Sequence, residues 1–277
     1  MISDTEWLQM LRDSAQQQTV IFEGQPLPSF PGDELQLNTV GKSGVHAVNE
    51  AFAFYSRCKE YFEAMGKSLQ KGSSLLDFGT GWGRIARCFI RDLGLREVFG
   101  TDVTEEFVQI CQRSFRTNNF IVNNPYPPTP IPDERFDFVV AYSVFSHLSE
   151  DAAAAWINEF WRVLVPGGVI AVTTRSRDFF TVCEELKGLQ LSGYSMALSE
   201  LFQDFNQARQ DYDSGKFVHS NIPGVGGGGR MNSSFYGESF IPEAYARHKY
   251  LPRFELEYFV PGDAYLEQTS LFFRKVT

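Results

Sequence analysis

The stretch Leu75-Leu76-Asp77-Phe78-Gly79-Thr80-Gly81-Trp82-Gly83-Arg84 constrains this chain more than any other part of it. A short apolar run ends in an acid and passes into three glycines at alternate positions, and a helical pattern follows. An apolar run of that length bounded by glycine reads as a buried strand. Glycines directly after such a strand let the backbone approach a ligand where side chains would collide. A glycine pattern alone is weak, and its position between strand and helix is what gives it weight. The run predicts a nucleotide-type pocket at the carboxyl end of a parallel strand.

The surrounding pattern agrees. Ser74 to Phe78, Val98 to Asp102, Phe120 to Asn123, Phe136 to Tyr142 and Val169 to Thr174 read as five strands. Helical spacing lies between them at Arg84 to Leu93, Thr104 to Arg116 and Asp151 to Leu164, with Pro166-Gly167-Gly168 as a turn. Strands alternating with helices predict an α/β fold with a parallel sheet covered on both faces. Upstream, residues 4 to 18 read as an amphipathic helix capped by Ser3 or Asp4, with Glu6 placed for a capping box. Pro26, Pro28, Pro31 and Gly32 break the chain, and a second helix covers about 45 to 69 by its apolar spacing.

After residue 176 the pattern changes to helices at Phe179 to Leu186 and Ala197 to Tyr212, then a glycine-rich stretch over 224 to 229. Phe254 to Val260 and Thr269 to Val276 close the chain as an antiparallel hairpin. The 277 residues suit one large domain carrying an insertion. The expected division is an N-terminal helical extension over 1–72, a core over 73–175 and 251–277, and a cap over 176–250.

Composition narrows the function. The formal net charge is -9 and no dense Lys/Arg cluster occurs, so a nucleic-acid partner is not expected. Cys58, Cys88, Cys111 and Cys183 form no CxxC pair and no zinc spacing, so no metal site is expected and free thiols in a reducing cytoplasm are. No signal-peptide core and no membrane-spanning stretch is read. The 26 phenylalanines serve a core or line an apolar pocket. The oligomeric state is not readable.

The cofactor follows from the loop. A dinucleotide fingerprint needs a third glycine where Arg84 stands, and Gly83 comes one residue early. Asp77, two residues before the first glycine, suits a cationic ligand better than a pyrophosphate. The sulfonium and ammonium of S-adenosylmethionine are such groups. At these residues the chain resembles class I S-adenosylmethionine-dependent methyltransferases, over 75 to 174 with a return at 254 to 276. Their first motif is matched by Asp77-Phe78-Gly79-Thr80-Gly81-Trp82-Gly83. The resemblance implies a Rossmann-like, mostly parallel seven-stranded sheet with the antiparallel terminal hairpin, N-terminal helices and the cap inserted after the fifth strand. It also implies S-adenosylmethionine as methyl donor, S-adenosylhomocysteine as product, and Gly79 and Gly81 against the cofactor's amino-acid part with Asp77 nearby. The Gly-Trp-Gly-Arg variant resembles a bacterial branch common near glycan and natural-product genes.

Further residues take places around that motif. Asp102 ends the second strand, where a carboxylate accepts both ribose hydroxyls, with Val103 beside it; the other reading is a helix cap. Asn123 and Asn124 stand where the resemblance implies an adenine contact, and they also suit a turn before proline. Phe78, Thr80 and Gly83 complete the cofactor loop. The resemblance places Tyr142 and Ser143 beside the cofactor. His147 reads as a general base or, by the favoured reading, as a histidine satisfying local hydrogen bonds. His219 and Tyr236 in the cap are further catalytic candidates, alongside Arg230, Glu238 and His248 as cap residues of interest. Arg84 pairs with a cap carboxylate or is solvated, Trp82 shields the loop or packs near Tyr55, and the 224 to 229 stretch is a lid or a loose loop. The expected activity is methyl transfer to an O or N atom of a small molecule, a sugar or secondary metabolite. A protein or tRNA methyltransferase and a non-catalytic cofactor-binding subunit are the alternatives.

Overall fold

The computed structural model describes residues 2–276. By its internal contacts the chain falls into two compact units, one running to Asn123 and including Phe136–Val140, the other made of Asn124–Arg135 and the chain from Ala141 onward.

The first unit opens with helix α1 (Asp4–Ala15). The predicted capping box is present: the Ser3 side chain accepts from Glu6 N–H and the Glu6 side chain accepts from Ser3 N–H. That arrangement satisfies two of the orphan donors every helix start leaves. Trp7 and Leu11 are buried, and Trp7 Nε1 donates to the Cys88 carbonyl (2.8 Å). A two-residue hairpin, β1 (Ile21–Phe22) with β2 (Gln25–Pro26), and helix α2 (Asp33–Val40) follow; neither was expected from the sequence. Helix α3 (Gly44–Ala64) stands where the second helix was anticipated but ends at Ala64, short of the expected 69, and it buries Ala47, Ala51, Phe54, Tyr55, Cys58 and Phe62.

Strand β3 (Leu75–Phe78) leads into the glycine loop. The continuous helix expected over Arg84 to Leu93 is replaced by a 3-10 turn over Ala86–Phe89 and a single α-turn, α4 (Ile90–Leu93). There Ala86 N–H is bonded to the Asp77 carboxylate of the preceding strand, and Arg87 follows. Its guanidinium, 1% exposed with the rest of the residue, takes the Gly83 carbonyl (2.9 Å), the Trp82 carbonyl (3.2 Å) and the Pro28 carbonyl (3.1 Å). The Gly83 carbonyl also accepts Arg87 N–H (3.3 Å). Burial lowers the Arg87 pKa to about 10. The ring of Phe30, 3.9 Å from the guanidinium carbon, supplies a further cation-π contact. Strand β4 (Val98–Asp102), helix α5 (Glu105–Phe115), strand β5 (Phe120–Val122) and strand β6 (Phe136–Ala141) then alternate as expected.

In the second unit, helix α6 (Glu150–Val163) starts at Ser149, whose side chain accepts from Ala152 N–H. Leu164, the residue closing α6, is already extended at ψ 142°, so the helix hands over to strand β7 (Leu164–Thr174) without a free-standing turn at Pro166. Helices α7 (Phe179–Glu185), α8 (Gly193–Ser199) and α9 (Phe205–Asp213) gather around Phe180, Leu198, Leu201, Phe205 and Phe240. Phe180 and Phe240 stack at 3.9 Å. The single helix expected over Ala197 to Tyr212 is thus two, because the Asp204 side chain accepts from Asn206 and Gln207 N–H and starts a new helix there. Strands β8 (Val218–Ser220) and β9 (Glu238–Phe240) pair antiparallel, followed by helix α10 (Glu243–Lys249), strand β10 (Phe254–Val260) and strand β11 (Thr269–Lys275).

The main sheet has seven strands in the order β10-β11-β7-β6-β3-β4-β5. β3 is parallel to β4 and β6, β4 is parallel to β5, and β11 is antiparallel to both β7 and β10. This is the expected Rossmann-like, mostly parallel sheet with an antiparallel closing hairpin. Among the described residues, no helix is long and apolar enough to cross a membrane.

Candidate functional site

The glycine loop lies at the carboxyl end of β3. Gly79, Gly81 and Gly83 all have positive φ (69°, 52° and 81°), a conformation that disfavours any residue with a Cβ. At Gly83 the geometry is also closed: a Cβ would stand 2.6 Å from the Phe115 ring. At Gly81 nothing lies within 4 Å of that position, so the backbone there borders open space.

Asp77 holds the loop rather than facing outward. Its Oδ2 accepts from the Thr80 hydroxyl (2.8 Å) and Ala86 N–H (3.0 Å). Burial raises the Asp77 pKa to about 7, and the two hydrogen bonds moderate that rise. Phe78 is buried in the strand. Asp102, at the end of β4, accepts Gly81 N–H at Oδ2 (2.9 Å) and Thr104 N–H at Oδ1 (2.8 Å). It therefore ties strand end to glycine loop, while Thr104 is the residue that starts α5. Burial raises the Asp102 pKa, against the pull of the backbone N–H groups of Thr104 and Gly81. The Thr104 side chain and Val103 N–H add to the bonds this carboxylate accepts. Val103 follows it in the turn, and Asn123 is buried with its N–H on the Asp102 carbonyl (3.0 Å). Asp77, Phe78, Gly79, Thr80, Gly81, Gly83, Asp102, Val103 and Asn123 thus belong to one unit.

The loop is fastened from the N-terminal side. Arg84 sits in a turn and does not open a helix; it is buried and pairs with Glu50 of α3 (3.0 Å), which Lys42 also contacts. The expected partner from the cap is replaced by one from the N-terminal helix. Trp82 is buried against Phe30 and donates from Nε1 to the Thr39 hydroxyl of α2 (3.1 Å), so its neighbour is α2 and not the region of Tyr55.

The second unit carries a different cluster. The chain after β6 is laced to residues 235–239: Gly237 N–H donates to the His147 carbonyl, Ser239 N–H to the Ser146 carbonyl and Ser149 N–H to the Phe235 carbonyl, each at 2.8 Å. The end of β7 holds the same segment, since the Thr174 hydroxyl donates to the Ser239 carbonyl (3.1 Å) and accepts Ile241 N–H (3.0 Å). These pairings bring Glu238, fully buried, onto Arg175 (2.5 Å), the Tyr194 hydroxyl (2.6 Å) and His147 Nδ1 (3.3 Å). Burial alone would push Glu238 up, but the His147 and Arg175 charges outweigh it and hold the carboxyl at about 2. His147 Nδ1 lies 2.8 Å from the Gly237 carbonyl, and its ring stacks on Tyr236 (4.8 Å, 4° between planes). His219 of β8 lies opposite Ser239 of β9, with Nδ1 2.7 Å from the Ser239 hydroxyl.

The structure therefore joins His147, Tyr236 and Glu238 directly, with His219 on the adjoining strand. Ser143 has φ 58°, donates its N–H to the Thr173 hydroxyl (2.7 Å) and receives Gln268 Nε2 at its own hydroxyl (2.8 Å). Tyr142 precedes it. Asn124 is exposed and accepts from the Arg230 guanidinium at 3.5 Å. His248 is exposed in the last turn of α10, away from the named cluster contacts. The 224 to 229 stretch folds on itself, with Val225 buried and Gly228 bridged to Met231. Arg175 and Tyr194 were missed by sequence reasoning. An arginine directly after the apolar β7 run was the available signal for the first; nothing local marks the second.

Residues 75–168 match a family described as "Methyltransferase domain". The chain is 31% identical over 144 residues to a ubiquinone biosynthesis O-methyltransferase of Bradyrhizobium sp. (strain ORS 278), covering 49% of this chain and 54% of that protein. It is 27% identical over 148 residues to a ubiquinone/menaquinone biosynthesis C-methyltransferase of Neisseria gonorrhoeae, covering 52% and 55%. The chain spans about half the length of these curated relatives. Among solved structures, the PH0226 protein of Pyrococcus horikoshii OT3 superposes with a TM-score of 0.52 at 17% identity, over 81% of this chain and 91% of that one. Magnesium protoporphyrin IX methyltransferase of Synechocystis PCC 6803, with bound SAH, does so with 0.50 at 16% identity, over 89% and 90%. Both share the fold.

Proposed function

We propose that this chain, whose residues 75–168 match a methyltransferase domain, is a class I S-adenosylmethionine-dependent methyltransferase that transfers a methyl group to an oxygen or nitrogen atom of a small molecule. One observation carries the reading. The three glycines after β3 all take positive φ, and the second of them is bonded through its N–H to the carboxylate ending β4. Loop and acid are thereby held in the register a nucleoside cofactor needs.

The residues present fit S-adenosylmethionine. Gly79 and Gly81 would take its amino-acid part, since a Cβ position at Gly81 opens on empty space. Asp102, at the end of β4 and bonded to the glycine loop, would take the ribose hydroxyls. Asn123 and Asn124 are proposed for adenine, and Val103, Tyr142 and Ser143 for flanking contacts. The donor supplies a methyl carbon already activated by its sulfonium; the protein's part is to bind, orient and exclude water.

The names of the curated relatives, which concern quinone biosynthesis, support a small organic acceptor. The net charge of -9 weighs against tRNA. A sugar or secondary metabolite is the proposed class, in keeping with the Gly-Trp-Gly-Arg variant. The four cysteines are buried and unpaired, which suits a reducing compartment, and we place the protein in the cytoplasm on that ground.

Calorimetry tests the reading. S-adenosylmethionine and S-adenosylhomocysteine are expected to bind in the micromolar range, and Asp102→Ala to weaken both by at least about tenfold, or about 1.4 kcal/mol. No heat with either ligand, alongside a response to NAD, refutes the assignment.

A further inference from the structure

We propose that Arg87 selects the methyl donor by charge. Its buried guanidinium, which no carboxylate among the described residues neutralises, stabilises the carboxylate of the donor's amino-acid part through the glycine loop whose carbonyls it holds. The inference rests on the reading of that loop as the S-adenosylmethionine site, and every residue it uses lies in the first compact unit.

Arg87 carries a charge without a counter-charge. It is 1% exposed, and buried cations are as a rule paired. Its donors reach only carbonyls: Nε that of Gly83 (2.9 Å), Nη2 that of Trp82 (3.2 Å), and Nη1 those of Pro28 (3.1 Å) and Ser29 (3.5 Å). Aromatic rings surround the rest, with the guanidinium carbon 3.9 Å from the Phe30 ring centre, 5.2 Å from Trp82 and 5.6 Å from Phe115. Carbonyls and ring faces satisfy the donors and leave the net positive charge in place. Burial lowers the Arg87 pKa to about 10, which keeps the group charged at neutral pH.

Neighbouring arginines differ. Arg84 meets Glu50, and Arg91 meets Asp92 and Asp4. The acids of the site are engaged elsewhere, Asp77 with Thr80 and Ala86, Asp102 with Gly81 and Thr104.

The donor supplies the missing anion. Its amino-acid part carries a carboxylate and an ammonium, and Gly81, one of the two glycines proposed to take it, directly precedes the Trp82 and Gly83 carbonyls on Arg87. Asp77 and Asp102 favour the ammonium and oppose the carboxylate. A positive charge fixed to the loop offsets that opposition. Solvent screens buried charges weakly, so the guanidinium acts on the carboxylate without touching it. Arg87 is therefore a positioning and specificity residue. It distinguishes the intact donor from a decarboxylated form.

Calorimetry on the full chain reads this with two ligands, S-adenosylhomocysteine and its decarboxylated analogue, which keeps the nucleoside, thioether and amine. The wild type is expected to prefer S-adenosylhomocysteine by at least about tenfold. Arg87→Met removes the charge and releases the Trp82 and Gly83 carbonyls. Released carbonyls weaken both ligands alike, whereas the lost charge weakens only the one with a carboxylate. The preference is therefore expected to fall by at least about fivefold in the variant. A wild type with no preference, or a variant in which both affinities drop and the preference stays, overturns the proposal. A second measurement needs no neutral variant. In wild type nitrogen-labelled at arginine, the Arg87 side-chain N–H resonance, identified by its absence from Arg87→Lys, is expected to move further with S-adenosylhomocysteine than with the analogue. Equal movement overturns the proposal. Failure of both ligands to bind the wild type counts against the methyltransferase reading and takes this inference with it. Binding of S-adenosylhomocysteine with a preference independent of Arg87 counts against this inference alone.

Discussion

Replacing Glu238 by Gln isolates the electrostatic part of the buried cluster, because the amide keeps the shape of the side chain and removes its charge. Glu238 is fully buried between Arg175, Tyr194 and His147. Burial by itself would favour the neutral acid; the His147 and Arg175 charges reverse that and bring the pKa from 4.5 to about 2. At about 1.36 kcal/mol per pKa unit this corresponds to on the order of 3 kcal/mol. The figure lies at the low end of the about 3–5 kcal/mol lost when a buried ion pair is broken by removing one partner.

The sign sets the pH window. A carboxyl depressed in the folded state contributes its full stability above its unfolded pKa, here 4.5, and loses it as pH falls through about 2. Urea denaturation of wild type and Glu238→Gln at several pH values reads the difference directly, since the other titrating groups are common to both proteins. The wild type is expected to be more stable by about 3 kcal/mol from pH 7 to pH 5, with the gap shrinking to roughly half or less by pH 3. A gap under about 1 kcal/mol at pH 7, or one that does not change between pH 5 and pH 3, refutes the reasoning.

Asp77 should behave in the opposite sense. Burial raises its pKa from 3.8 to about 7, so its contribution to stability is full below 3.8 and fades as pH rises through about 7. In the cofactor-free protein, Asp77→Asn is therefore expected to gain on the wild type between pH 4 and pH 8, by up to on the order of 4 kcal/mol; parallel melting curves across that range would contradict it. Gly83→Ala places a Cβ 2.6 Å from the Phe115 ring at φ 81° and should cost about 1–3 kcal/mol in urea denaturation. A variant as stable as the wild type would show that the loop tolerates a side chain there.

The parts of the fold legible in the sequence are those fixed by neighbours in the chain. β3, β4 and β6 are short apolar runs with breakers at their ends, and the Ser3–Glu6 capping box spans three residues. The errors arise where a distant contact overrides a local pattern. Ala86–Leu93 has helical spacing, yet it forms a 3-10 turn and a single α-turn, with Ala86 N–H bonded to the Asp77 carboxylate of the preceding strand. Arg84 looked like a partner for the cap, but α3 presents Glu50 to it. The break between α8 and α9 was readable in principle, since Asp204 is a good helix-starting residue, but apolar spacing on both sides masked it.

The same distinction divides the chemistry. What the glycine loop does for a donor depends on backbone conformation at three glycines and on one acid 21 residues from the bonded N–H. Those features leave a compact signature. Glu238 meets Arg175 across 63 residues and Tyr194 across 44, and His219 meets Ser239 only because β8 pairs with β9 in that register. No spacing rule reports such a set, because each member is an ordinary polar residue in its own stretch of chain. A slip of one residue in the β8–β9 pairing would turn His219 to the opposite face and break its bond to Ser239. The register of this short strand pair therefore decides where the His219 ring sits, and Gly237, where a Cβ would overlap the Ser220 carbonyl, is a position that holds it.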